Sequence, residues 1–363
     1  MAQSFSLRTV AEGLPHMPSK ITDCRMRIRL TYLATSFMFL GNAPPDDIPT
    51  ALQPYVIEGV LKTDDFGWMR GAFDGATEQQ KTDLEAIKVW LTNCKTITKA
   101  NAVDDLKAIG VNDAKLDYIP IGPALCETVA TYSSLSMLTK NSAEFQAKST
   151  RAKEIFSIYE FGAKTAQLHG PYEPNWGIEE SWWLLRSAVM EQAYRIGSDW
   201  QTETSAPLIE PDLLPYLKAH MVNAANVADR KNTHMLKKIV EDKGWPSIPV
   251  VGERASFTAW LLVQHADSDP AFQLQALRLM EPLAAKGEVS KRNYAYLYDR
   301  VMLKLNGKQR FGTQIGGCDG DDYALLPLED EKRLDELRTK HDLEPITQYL
   351  NSIKDWRGPC RTQ

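Results

Sequence analysis

The chain has 363 residues, 43% of them hydrophobic, and nine tryptophans, enough to bury a large core. Its net charge of -5, with no run of five basic residues, gives no electrostatic footprint for nucleic acid, and that class of partner is excluded from the expectation.

The first segment with a readable pattern is a leader. From Met26 the chain runs Met-Arg-Ile-Arg, then uncharged from Leu30 to Leu40, then Gly41-Asn42-Ala43 ahead of Pro44-Pro45-Asp46-Asp47. A positive stretch, a short apolar stretch and small residues before a cleavage point are the anatomy of a signal peptide, and the apolar run is too short to span a bilayer. The expectation is therefore an over-extended start at residues 1–25, a signal peptide at 26–43 and a mature bacterial chain from near Pro44. That chain would be periplasmic or secreted, with no integral membrane segment after signal removal. Of five cysteines, Cys24 lies before Met26. The remaining even set, Cys94, Cys126, Cys318 and Cys360, suggests two disulfides. The favoured pairing is Cys94–Cys126 and Cys318–Cys360, because each pair brackets one local segment.

Beyond the leader almost every periodic segment reads as helix, and the expected class is all-α: an irregular multi-helix bundle in two halves, with no substantial sheet. A short helix is expected from Ala51 to Leu61, then an aromatic loop at 64–73. Thr77 and Gln80 form a capping-box pattern. Leu84, Ile87, Trp90, Leu91 and Cys94 then share a helical face. Residues 95–123 read as less regular. Helices follow around Cys126 to Tyr132, after Ser142, and from Ile178 to Asp199. The polar string Thr202 to Pro207 is the expected boundary between an N-terminal region, 44–205, and a C-terminal domain, 206–363.

The second half opens with a helix from Leu213 to Gly244, in which Asn232 interrupts the apolar stripe. After Gly252 comes a helix apolar all round at Ala259-Trp260-Leu261-Leu262-Val263, extended by Gln264 and His265. Pro270 suits a first helical position, with Ser268 or Asp269 as cap, and Gly287 a stop. Ser290 caps the next helix, whose stripe of Tyr294, Leu297, Val301 and Leu305 ends at Gly307.

His265 is a candidate general base, and Asp267 can return toward its ring if the helix ends there. Asp299 and Arg300 flank the last stripe, and Gly312-Thr313-Gln314 offers a hydroxyl and an amide on a loop. No HExxH-type or CxxC spacing occurs, so neither a metal nor another cofactor is expected.

These residues look familiar. Trp-Leu-Leu-Val-Gln-His-Ala-Asp (260–267), Asp-Pro-Ala-Phe-Gln (269–273), Tyr-Leu-Tyr-Asp-Arg-Val (296–301) and Gln-Arg-Phe-Gly-Thr-Gln (309–314), preceded by Asp-Arg-Lys-Asn (229–232), resemble a bacterial family of uncharacterised function. Its pattern is Gln-His-Ala-Asp followed by Tyr-Gly-Thr-Gln; here Phe311 stands in place of the tyrosine. The likeness spans about residues 212–315 and leaves 44–205 uncovered. It implies one polar cluster of Asp229, Asn232, Gln264, His265, Asp267, Gln273, Asp299, Arg300, Gln309 and Gln314.

Three readings follow. In the first, the protein is an exported hydrolase or group-transfer enzyme: His265 is base, Asp267 or Asp299 its orienter and Arg300 an anion clamp. Asp229, Asn232, Trp260, Gln264, Gln273, Gln309, Thr313 and Gln314 hold a small-molecule or peptide substrate. In the second, the same groups bind a ligand or protein without catalysis. In the third, the network is structural.

Overall fold

The computed structural model describes residues 48–116, 122–169, 179–200 and 207–360. The expected leader at 26–43 and most of the expected boundary string fall outside these residues.

The described chain is mostly helical, as its periodicity requires. The first expected helix is the exception: after a 3-10 turn at Gln53–Tyr55, the chain forms a small antiparallel hairpin of β1 (Val56–Ile57) and β2 (Val60–Leu61). Glu58 and Gly59 take φ of 51° and 78°, so Glu-Gly reverses the chain between β-branched residues. The aromatic loop is a 3-10 helix, Gly67–Ala72, that buries Trp68 and Met69. Gly71 permits its close approach to the next helix, since a Cβ there would stand 2.2 Å from the Gln80 carbonyl oxygen.

That helix, α1 (Glu78–Ala108), starts at the expected capping box: Gln80 N donates to Thr77 Oγ1 at 3.2 Å and Thr77 N donates to Gln80 Oε1 at 3.0 Å. It runs well past Cys94, because Thr98, Ala102 and Leu106 continue the buried stripe at four-residue steps. The polar Thr98 and the small Ala102 hide that stripe from a hydrophobicity reading. α2 (Ala124–Ser134), α3 (Ser142–Leu168), α4 (Glu179–Ser198) and α5 (Leu214–Lys243) follow. A disulfide, Cys94–Cys126, joins α1 to α2 with 6.4 Å between Cα atoms. Phe66, Tyr132, Phe145 and Tyr216 centre the core these helices share.

After α6 (Ile248–Val251) comes α7 (Glu253–Gln264), in which every residue from Thr258 to Gln264 is buried. It packs against α4, α5, α8 (Pro270–Lys286) and α9 (Lys291–Asn306). Asp269 caps α8 through Phe272 N at 2.9 Å and Ser290 caps α9 through Asn293 N at 3.2 Å, while Gly287 and Gly307 close both helices in the left-handed conformation. A hairpin of β3 (Ile315–Asp319) and β4 (Asp322–Leu325), then α10 (Leu334–Lys340) and α11 (Ile346–Arg357), complete the chain. The second disulfide, Cys318–Cys360, ties the hairpin to the C-terminal end, with 5.5 Å between Cα atoms. Among the described residues no helix is long and apolar enough to cross a membrane.

Candidate functional site

His265 sits where α7 ends, as its C-cap. Helix-terminal geometry turns its ring toward α4, where Glu191 is fully buried. The ring Nδ1 lies 2.6 Å from Glu191 Oε1, although off the line of a well-directed hydrogen bond. Arg195, one turn along α4, donates from Nε to the same Oε1, and Gln192 donates to Oε2 at 2.6 Å. The Arg195 guanidinium then reaches α5 and donates to Asp229 Oδ2 at 2.7 Å. Asp229 Oδ1 is buried and has no partner. Glu191, Asp229 and His265 thus bring one polar atom each to within 4.8 Å of one another, the separation at which ligands can share an ion. Arg195 already lies against both carboxylates, supplying from inside the protein the positive charge that a cation would bring.

Burial lowers the proton affinity of His265, leaving a neutral imidazole. Burial opposes the Glu191 charge as well, but His265 and Arg195 beside it hold that carboxyl at about 2. Asp229 goes the other way: burial outweighs the pull of Arg195, the Glu191 charge adds to it, and the carboxyl is pushed up to about 8.

Asp267, the orienter expected from the sequence, does not hold His265. Its carboxylate takes Arg300 in a two-pronged pair, with Nε at 2.9 Å, and also takes Lys304 Nζ and Gln273 Nε2, the latter at 3.2 Å. Burial notwithstanding, Arg300 and Lys304 hold it well below the usual carboxylate range. Gln273 also donates to the Val263 and Gln264 carbonyls at 2.9 and 3.2 Å, capping the last turn of α7. Lys304 closes the network on Gln273 Oε1 at 2.7 Å. Arg300 is therefore engaged in fastening α9 to the end of α7.

Asp299 lies in a separate knot. Its oxygens accept from the amides of Arg310, Phe311 and Thr313 at 2.7, 2.9 and 2.9 Å and from the Thr313 hydroxyl at 2.9 Å. Gln309 answers the Gln314 amide through its oxygen, and the Gln314 and Leu326 carbonyls through its nitrogen, all at 2.9 Å. Gln314 Nε2 reaches Thr313 Oγ1 at 3.1 Å. These groups answer one another and set the loop conformation. Phe311 is buried with its ring centroid 4.4 Å from that of His341.

The other expected site residues are dispersed. Asn232 is buried with its nitrogen unpartnered. The Gln264 carboxamide, oriented by its donors, presents oxygen to Leu297 N at 2.8 Å and to the Trp260 indole at 3.0 Å. Trp260 lines a cleft with Trp245, Phe257, Met280 and Asn293.

Sequence reasoning missed Glu191, Arg195, Arg338 and His220. Glu191 and Arg195 stand four apart, a spacing that from sequence reads as an exposed helix pair. Arg338 is fully buried and donates to the Phe311 and Glu344 carbonyls, both at 2.6 Å. His220 meets the Tyr132 hydroxyl at 2.8 Å, and burial with nearby Lys153 pushes it down to about 4, a satisfied core histidine.

Fold and geometry define a mostly helical, disulfide-bonded protein with a Glu-Arg-Asp-His group centred on the buried Glu191 carboxylate. Residues 215–359 match a family of unknown function (DUF6624). No curated protein and no solved structure matches the chain. The match takes in Asp229 and His265 but ends short of Glu191 and Arg195, so the group joins matched and unmatched parts of the chain.

Proposed function

We propose that the protein is an exported hydrolase or group-transfer enzyme in which His265 is the general base and Glu191, in place of Asp267 or Asp299, orients it. One observation carries this reading: a fully buried carboxylate stands 2.6 Å from Nδ1, which leaves Nε2 as the proton-accepting nitrogen. A neutral ring is the form a base requires, and burial favours that form. Water is the nucleophile, since no serine or cysteine stands in the group. Two disulfides fit an oxidising compartment outside the cytoplasm.

The test is turnover by the purified full chain on a panel of chromogenic esters, amides and glycosides. His265→Ala should lose about 10²–10⁴-fold and Glu191→Gln a smaller factor. Unchanged turnover in a correctly folded His265→Ala protein removes the base. Export is checked by N-terminal sequencing of protein recovered outside the cytoplasm, with a start near Pro44 expected; a cytoplasmic product with reduced cysteines overturns it.

The aromatic cleft at Trp260 favours a second reading, ligand binding without catalysis. Ligand-dependent thermal stabilisation that Trp260→Ala abolishes and His265→Ala leaves intact would select it.

A further inference from the structure

We propose that Asp229 is the proton donor working opposite His265, so that the site serves hydrolyses whose leaving group departs as an amine or alkoxide and has to be protonated. The inference rests on the reading of His265 as base, and deepens it.

Charge balance is the first argument. The buried group holds one permanent cation, Arg195, two carboxylates, and an imidazole that burial keeps neutral. One guanidinium balances one carboxylate, and leaving a second buried charge unanswered is strongly unfavourable. Donor supply decides which acid keeps its proton. Glu191 has donors on both oxygens and the imidazole against one of them; Asp229 has a single donor on Oδ2 and nothing on Oδ1. The proton therefore belongs on Asp229 Oδ1.

The charged and titratable groups around Asp229 agree with that assignment. From α4 come Arg195 and Glu191, from the end of α7 His265, and further off the Asp267 carboxylate adds negative charge. Two carboxyls sharing the Arg195 guanidinium and driven apart, Glu191 down to about 2 and Asp229 up to about 8, form the pattern by which an ionised orienter and a protonated acid coexist near neutral pH.

The reaction then balances without any further reagent. His265 Nε2 takes a proton from water as the water oxygen bonds to the substrate's electrophilic carbon. The bond to the leaving nitrogen or oxygen breaks, and that atom takes the proton from Asp229. Afterwards the imidazolium gives up its proton and the Asp229 carboxylate takes one back, which restores both groups.

The first test needs no substrate. Infrared spectra of the full chain, edited with carboxyl-labelled aspartate, should show a protonated-carboxyl band at about pH 6 that disappears with a midpoint near pH 8 and is missing from Asp229→Asn. Absence of the band at about pH 6 in the wild type overturns the proposal. So does a stoichiometric divalent ion bound to the isolated protein, if chelation makes the band appear, because Asp229 would then be its ligand. The second test compares 4-nitrophenyl acetate, whose leaving group departs without help, with acetanilide, whose amine does not. Asp229→Asn should lower turnover of the anilide about 10²-fold more than turnover of the ester. Equal loss on both overturns proton donation. Retention of both activities in a folded His265→Ala protein, or no turnover of either substrate by the wild type, counts against the base reading and leaves the infrared result to judge Asp229; loss of both activities in His265→Ala with neither lowered in Asp229→Asn overturns proton donation by Asp229.

Discussion

Two aspartates in the second half of this chain, Asp299 fully buried and Asp229 with 14% of its side chain exposed, have opposite surroundings. Asp299 is met by three backbone amides and a hydroxyl; Asp229 is met by one guanidinium and has an oxygen with no partner. Burial raises the proton affinity of both, and at Asp299 four donors pull against it. The supply of donors, more than depth, separates a carboxylate that organises a loop from one that can carry a proton.

The largest expected effect lies at the answered aspartate. Asp299→Ala would leave three amides and the Thr313 hydroxyl unpaired in the core, and should lower the free energy of unfolding by about 3–5 kcal/mol in urea titration. A loss below about 1 kcal/mol would mean that water substitutes freely and the knot is not a scaffold. Next comes Glu191→Ala, which strands the Arg195 Nε and the Gln192 amide; about 2–4 kcal/mol should be lost, and a smaller loss would show that the pocket is wetter than its burial implies.

pH separates the two regions most directly. Folding raises the Asp229 carboxyl from an ordinary 3.8 to about 8, so its contribution to stability is full below about pH 4 and is lost as pH rises through about 8. Glu191 has the opposite sign: folding lowers it from 4.5 to about 2, so its contribution is present above about pH 4.5 and is lost as pH falls through about 2. Between about pH 5 and 8 the Asp229 slope should approach, at most, about 1.4 kcal/mol per pH unit. Asp229→Asn should flatten it in denaturant titrations across that range, whereas a slope unchanged by Asp229→Asn would place the titration elsewhere. The smallest effect is expected at the edge of the knot. Gln314→Ala removes one hydrogen bond, from its side chain to Thr313, and should cost about 0.5–1.5 kcal/mol with no change in the pH slope.

Much of the scaffold was legible in the residues. The capping box at Thr77, the caps at Asp269 and Ser290, the glycine stops at Gly287 and Gly307 and the all-round burial of α7 are local matters, and local chemistry decides them. Both disulfides also followed from bracketing in the sequence. The hairpin at Val56–Leu61 escaped notice because each strand is two residues long, too short for alternation to register. The end of α1 escaped because Thr98 and Ala102 carry its stripe without being strongly hydrophobic.

The polar residues were found as types but not as partners. Residues grouped together from the sequence resolve into the His265 cluster, the Asp267 network and the Asp299 knot, with Trp260 facing a cleft of its own. Glu191 was overlooked because four-residue spacing from Arg195 describes an exposed pair as well as a buried one. By itself the sequence determined the helices, their ends and the cysteine pairs, since dihedral preference, capping and chain proximity act over a few residues or one short loop. Only tertiary structure decided which acid meets His265: a charge buried where helices cross is governed by the donors that distant segments bring to it, and no spacing along the chain records that supply.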